Sequence, residues 1–149
     1  MIIFLDFDGV LHAVGPKALN SDKTYFSKLP IFENWLREHK DFNVVISSSW
    51  RDTMDLSKLR SYFSDDIRHR VIDKCPLVAH DPKPEFWRHA EIMAWIEVNG
   101  YGGSWLAIDD ADKEFPAQFG QLVLCKPHIG IDDKVIKVLT EKVESCLNM

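Results

Sequence analysis

The chain of 149 residues has the length of one compact domain with a single hydrophobic core. Its composition, 46% hydrophobic and 28% charged, is typical of folded globular proteins and excludes a disordered chain. A net charge of -5 argues against a generally basic surface for nucleic-acid backbones, although a local basic groove remains compatible with it. We therefore expect one folded domain spanning residues 1–149.

Short apolar runs and helical periodicity alternate along the chain. In chain order they predict strand 2–5, helix 31–39, strand 43–46, helix 56–63, a weaker strand 70–72, helix 86–98, strand 105–108, strand 121–124 and helix 131–147. Such alternation favours right-handed crossovers and a parallel sheet covered on both faces. The predicted class is α/β, a single-domain, Rossmann-like, doubly wound parallel sheet of about five strands.

The cysteines and the apolar N-terminus point to an intracellular setting. Cys75, Cys125 and Cys146 are odd in number, widely spaced and free of a CxxC pair, so they suggest neither a disulfide framework nor a zinc ribbon. The apolar start is interrupted by Asp6 and lacks a basic leader, which argues against a signal peptide or membrane span. We expect a cytoplasmic protein without a membrane partner.

Polar residues that directly follow the predicted strands are the first candidates for a site, because open α/β sheets bind ligands beyond the carboxyl ends of their strands. The first strand runs into Asp6 and Asp8, separated by one residue and followed by Gly9. Two carboxylates placed there repel each other and lose hydration, a cost that a divalent cation or cationic side chains can offset. Taken alone, an Asp-x-Asp pair is more often an acidic turn.

The surrounding residues change that balance. A strand followed by Asp-x-Asp-Gly-x-hydrophobic near the N-terminus resembles the first signature of the haloacid dehalogenase (HAD) superfamily, whose members mostly transfer phosphoryl groups. The resemblance implies that Asp6 is the nucleophile that forms an aspartyl-phosphate and that Asp8 is its acid/base partner. It also implies a HAD-like fold.

The second signature of that superfamily is a Ser or Thr that ends the second strand and binds phosphate. Residues 47–49 offer three consecutive serines at this point. We choose Ser48, with Ser47 as the alternative, since a hydroxyl can donate to a phosphoryl oxygen without adding negative charge. The alternative interpretation is that the serines only cap the next helix.

The fourth signature is an acidic pair after a later strand, and Asp109 and Asp110 match it. Mg²⁺ prefers oxygen ligands and usually takes one or two carboxylates. The resemblance therefore implies a Mg²⁺ site made by Asp6, the backbone carbonyl of Asp8 and Asp109, with Asp110 as a further ligand or as a residue that orients waters. A solvated acidic loop is the alternative.

The third signature is a cation near the start of the helix that precedes Asp109, and both Lys83 and Arg88 qualify. We favour Arg88, because residues 47–51 (SSSWR) and the pattern R-x-x-E-I-x-x-W-I over 88–96 resemble the HAD domains of multidomain RNA-repair proteins. Arginine can also contact phosphate in a planar, bidentate manner. Arg51 is ambiguous in the same way, between a phosphate ligand and a plain surface residue.

Other candidates receive no role at this stage. His12 follows the first signature, but a lone histidine there is more often a solvated or satisfied loop residue. Trp50, Trp87 and Trp95 could stack a base or line a pocket, yet aromatic residues that flank helices in a small domain usually belong to the core.

Family members that act on small metabolites often carry a cap domain, and this chain has no room for one. Only about forty residues separate Asp8 from Ser48, which leaves residues 12–29 as a flap at most. The predicted site is open and suits a phosphorylated macromolecular end, such as a nucleic-acid terminus, or a nucleotide.

Two rival functions remain. A phospho-receiver domain would share the α/β layout and the acidic site, but receivers place the phosphorylated Asp after their third strand, whereas Asp6 follows the first. A non-catalytic phosphate-binding module would keep the fold without turnover. The substrate and the oligomeric state are not defined by the sequence.

Overall fold

A five-stranded parallel sheet forms the centre of the protein, in a computed structural model that describes residues 1–19 and 24–147. The strands are β1 (Ile2–Leu5), β2 (Asn43–Ile46), β3 (Val71–Lys74), β4 (Trp105–Asp109) and β5 (Leu122–Leu124). The helices are α1 (Leu29–Glu38), α2 (Leu56–Arg60), α3 (Trp87–Asn99) and α4 (Asp133–Leu147). Part of the predicted flap over 12–29 lies outside the described residues.

The spatial order β3-β2-β1-β4-β5 shows where a ligand site belongs. The chain winds outward from β1 through β2 to β3, then crosses over and continues through β4 to β5, so its direction reverses between β1 and β4. Open α/β sheets bind ligands at such a reversal, beyond the carboxyl ends of the strands. The predicted doubly wound α/β class is confirmed.

The sheet is buried on both faces, because alternate residues of each strand point to opposite sides. On one face Ile3, Leu5, Val44 and Ile46 pack with apolar residues of α1, α2 and α4. On the other face a smaller cluster is formed mainly with α3. Its members include Phe4, Val45, Ala107, Ile92 and Trp95.

Each α-helix differs from the sequence prediction by one to three residues at one or both ends, and a local reason is visible at two of these boundaries. Helix α2 ends at Arg60 instead of residue 63, where the amide of Ser61 is shared between the carbonyls of Ser57 and Lys58 and the backbone tightens into a turn. Helix α4 begins at Asp133 instead of residue 131, because the Asp132 carboxylate accepts the Val135 amide at 2.9 Å and caps the helix.

Neither connection in which a cap domain is expected holds a further domain in the described residues. The turn from α3 to β4 spans only residues 100–104, and the described residues between β1 and α1 contain neither a strand nor an α-helix. The residues described contain no cap domain. No helix in those residues combines the length and apolar character needed to cross a membrane.

Candidate phosphoryl-transfer and metal site

Two predicted site residues, Asp6 and Asp109, and the alternative serine, Ser47, lie in one row at the carboxyl ends of neighbouring strands. Leu5 on β1 is paired with Ile46 on β2 and with Ile108 on β4. The next residues along these strands are Asp6, Ser47 and Asp109, all at least 95% buried. The polar side chains therefore lie side by side at the carboxyl edge of the sheet, where the direction of winding reverses between β1 and β4.

Asp6, Asp109 and Asp110 form a carboxylate cluster. One oxygen from each of the three lies within 4.8 Å of the others. Burial raises the pKa of Asp109 well above its usual range, and the neighbouring Asp6 carboxylate adds to this effect. Burial and the Asp6 charge likewise raise the pKa of Asp110 to about 6. These shifts reflect mutual repulsion among desolvated carboxylates, which a divalent cation relieves.

The chemistry of this cluster fits a hard cation. Asp109 Oδ1 accepts the Ala111 amide at 3.0 Å, whereas Oδ2 is buried and accepts no hydrogen bond from any described residue. The cation nearest to this oxygen is Arg88, with Nε at 3.4 Å, and a buried oxygen that accepts no hydrogen bond is costly. All donors in the cluster are carboxylate oxygens, the ligands that Mg²⁺ prefers. The Asp8 side chain contacts His12 and Trp50 and not the cluster. The expected contribution of Asp8 to the metal site, through its backbone carbonyl, stays a prediction.

Gly9 allows Asp110 to approach the first loop. Its backbone has φ of +76°, in the region that favours glycine, and a Cβ at this position would lie 2.1 Å from Asp110 Oδ2. Any side chain at residue 9 would therefore displace that carboxylate. The glycine of the first signature has a steric reason in this chain.

Asp8 is held by two donors that lie outside the predicted site set. Its Oδ1 is 2.7 Å from His12 Nε2 and 3.2 Å from Trp50 Nε1. The His12 ring is fully buried, and its Nδ1 accepts the Phe26 amide at 3.3 Å. In the neutral ring the proton then sits on Nε2, which donates to Asp8. Two donors on Oδ1 leave Oδ2 available for proton transfer.

His12 and Trp50 were thus missed as site residues, although His12 is a satisfied loop residue as expected and Trp50 does pack against the core. A tight turn brings His12 back beside Asp8, with the Gly9 amide donating to the His12 carbonyl at 2.9 Å. The i to i+4 spacing across a glycine turn was the only signal in the sequence. Trp50 lies too far along the chain for any local pattern to reveal the contact.

The serine segment after β2 is braced from behind by Arg51. Its Nη1 donates to the carbonyls of Ser47 at 2.9 Å and Ser48 at 2.8 Å, and its Nε donates to the Cys75 carbonyl at 2.9 Å. Its Nη2 pairs with the buried Glu91 carboxylate. Burial, together with the Arg88 charge, lowers the pKa of Arg51. Arg51 therefore fixes the loop with its donors and is not the free phosphate ligand that the sequence left open.

The two serine hydroxyls differ in their surroundings. Ser48 Oγ accepts the Trp50 amide at 3.2 Å, in the capping arrangement considered as the alternative from the sequence. Ser47 Oγ is buried and has no hydrogen-bond partner among the residues described. The strand register places Ser47 beside Asp6, and of the two hydroxyls only that of Ser47 has its full bonding capacity free among the residues described.

Arg88 is the candidate cation that reaches the cluster. Its Nε lies 3.4 Å from Asp109 Oδ2, and its buried Nη1 has no hydrogen-bond partner in the described chain. Lys83 is exposed and lies over the Trp87 ring, 5.8 Å from its centre. Arg88 and Glu91 lie one turn apart on α3, so one helix face supplies both the cation and the partner of Arg51.

The sheet carries a paired-aspartate loop after β1, serine hydroxyls after β2 and an acidic pair at the end of β4, and α3 adds an arginine. This combination is that of a HAD-type domain. The family model described as the HAD domain in Swiss Army Knife RNA repair proteins matches residues 2–136, and the chain belongs to this family. Searches with this chain found no match among curated proteins or solved structures. Family membership supports a phosphohydrolase of the HAD type in general.

Proposed function

We propose that the protein is a Mg²⁺-dependent phosphomonoesterase that acts through an aspartyl-phosphate on Asp6. The observation that carries this proposal is the largely buried Asp6–Asp109–Asp110 cluster at the carboxyl edge of the sheet, with Asp8 two residues beyond Asp6 in the chain. Asp6 is 5% exposed and its Oδ1 accepts the Phe7 amide at 2.9 Å, so its carboxylate is held in one orientation. An oriented, largely desolvated carboxylate is suited to in-line attack on phosphorus.

The cluster would hold Mg²⁺ through Asp6 and Asp109, with Asp110 and the Asp8 carbonyl as further ligands. Bound there, the ion would neutralise negative charge on the phosphoryl oxygens and so favour attack of the Asp6 carboxylate on phosphorus. Arg88 has an unpaired, buried Nη1 to offer to the same oxygens. A serine hydroxyl would donate to another, and the free Oγ of Ser47 now makes it a stronger candidate than Ser48.

Asp8 supplies the proton chemistry in this scheme. Its carboxylic acid protonates the oxygen of the departing alcohol as the phosphoryl group moves to Asp6. The resulting Asp8 carboxylate then takes a proton from the water that hydrolyses the aspartyl-phosphate. His12 and Trp50 hold Oδ1 throughout, so that the same oxygen, Oδ2, serves both steps.

The substrate we propose is a phosphorylated nucleic-acid end or a nucleotide. Two features support it: the matched family is named for RNA-repair proteins, and the described residues carry no cap domain over the site. A non-catalytic phosphate-binding module is the second candidate, which the same cluster would also suit.

The test is hydrolysis of an aryl phosphate with and without Mg²⁺, followed by oligonucleotides phosphorylated at the 3′ or 5′ end. Asp6→Asn should abolish turnover while the fold is retained. Asp112→Asn removes an exposed acid three residues beyond Asp109 and is the matched control, with activity close to that of the unchanged protein. Full activity in Asp6→Asn would contradict the proposal, and phosphate binding without any turnover would favour the binding module.

A further inference from the structure

An aromatic cleft of about 610 Å³ opens directly beside Asp8. Its lining combines four aromatic rings with small polar and thioether side chains. The principal residues are Tyr25, Phe26, Trp50, Thr53, Met54 and Tyr62. We propose, on the basis of the phosphomonoesterase function above, that this aromatic cleft binds the base of the nucleoside that leaves when phosphate is transferred to Asp6.

Position is the first argument. Trp50 lines the aromatic cleft and also donates from Nε1 to Asp8 Oδ1 at 3.2 Å, so the cleft and the acid share one side chain. In the proposed reaction Asp8 protonates the leaving oxygen, and the rest of the leaving group must lie on that side of the site. The Asp6–Asp109–Asp110 cluster occupies the phosphate side instead.

The chemistry of the lining is the second argument. Tyr25 is 69% exposed and lines the aromatic cleft, so its ring is accessible to a ligand there. Bases stack on such rings with little regard to sequence, because every base has a flat π-face. Lys58 lies over the ring of Tyr62, one of the lining residues, with Nζ 5.3 Å from the ring centre. A cation there suits an electron-rich base or a neighbouring phosphate.

Preorganisation is the third argument. The Trp50 indole makes edge contacts with Phe7 at 5.4 Å and Phe26 at 5.3 Å between ring centres, in addition to its bond to Asp8. The Phe26 ring is stacked on Tyr62 at 4.6 Å. Rings that are already immobilised lose little conformational entropy when a ligand binds. Tyr25 closes the arrangement with an edge contact to Trp50 at 5.5 Å.

The test compares adenosine 5′-monophosphate with ribose 5-phosphate, which has the same phosphomonoester and sugar but no base. In the unchanged protein kcat/KM should be higher for the nucleotide. Tyr25→Ala should reduce the ratio of the two kcat/KM values roughly tenfold, as expected for loss of one stacking ring. Val98→Ala, which trims an exposed side chain on α3, should leave the ratio unchanged.

The same pair of ligands is also measured by calorimetric binding to Asp6→Asn, which needs no turnover. If Asp6→Asn binds the nucleotide more tightly than ribose 5-phosphate, and the Asp6→Asn/Tyr25→Ala double variant does not, the inference is supported even if the phosphomonoesterase assignment fails. Equal binding of the two ligands, or an unchanged ratio in Tyr25→Ala, overturns it. Since a ratio is measured, general damage to the site by the substitution cannot imitate the expected result.

Discussion

Substitution of Gly9 by alanine offers a direct test of how the carboxylate cluster is built. The new Cβ would lie 2.1 Å from Asp110 Oδ2, whereas real Cβ contacts essentially never fall below 3.0 Å. The carboxylate must therefore move by about 1 Å. The backbone at residue 9, with φ of +76°, adds a separate penalty for any residue that carries a Cβ.

Two other glycines separate these effects. Gly15 has φ of +87° but open space around its Cβ position, so Gly15→Ala measures the backbone penalty alone. Gly102 has neither a positive φ nor a neighbour within 4 Å, and Gly102→Ala should leave stability nearly unchanged. We expect Gly15→Ala to lower the free energy of unfolding by about 1–2 kcal/mol, or roughly 2–8 °C in Tm.

Gly9→Ala should show the backbone penalty and a specific loss at the metal site. Displacement of a catalytic group by about 1 Å can cost roughly a hundredfold in rate. We therefore expect kcat for an aryl phosphate to fall by about that factor. The rise in Tm that Mg²⁺ produces should shrink in Gly9→Ala and persist in Gly15→Ala.

Thermal unfolding with and without Mg²⁺, followed by circular dichroism, measures the loss of stability and the Mg²⁺-induced rise in Tm on the same samples. The kcat for the aryl phosphate is measured separately. Equal Mg²⁺-induced shifts in Gly9→Ala and Gly15→Ala, together with equal kcat, would refute the interpretation that Gly9 makes room for Asp110. A loss of Mg²⁺ response in Gly15→Ala would also contradict it, because that residue has no neighbour to displace.

Two further predictions concern the residues that support the site. Arg51→Met leaves the Glu91 carboxylate buried and unpaired, so the free energy of unfolding in urea should fall by about 3–5 kcal/mol. Adding Glu91→Leu should restore part of this loss, because the unpaired charge is then removed. No recovery in the double variant would argue against the Arg51–Glu91 pair. His12→Phe removes one donor to Asp8 and should lower kcat more for an alkyl phosphate than for a nitrophenyl phosphate. The alkoxide is the poorer leaving group and therefore depends more on protonation by Asp8. An equal decrease for both substrates would show that His12 does not act through Asp8.

The sheet was predictable because its strands are short, continuous apolar runs, which is the pattern expected when both faces are covered. Even the weak strand at 70–72 exists, as β3 (Val71–Lys74). Helix ends were less accurate, since they depend on single hydrogen bonds such as the Asp132 cap, which propensity alone does not locate.

The metal side of the candidate site followed from strand ends, because parallel strands in register bring Asp6 and Asp109 together. The supporting contacts did not. Arg51 meets Glu91, and Trp50 meets Asp8, across about forty residues of chain in each case. Such contacts depend on how α3 and the β2 loop pack on the sheet, and no local pattern encodes them.

A rapid acid quench shows directly whether Asp6 becomes phosphorylated during turnover. Protein mixed with Mg²⁺ and excess aryl phosphate is quenched within the first turnover, digested and analysed by mass spectrometry. We expect a phosphoryl group on the peptide that contains Asp6, dependent on Mg²⁺ and absent from Asp6→Asn. Steady hydrolysis with no phosphoryl group on that peptide, or with the group on another residue, would contradict this expectation.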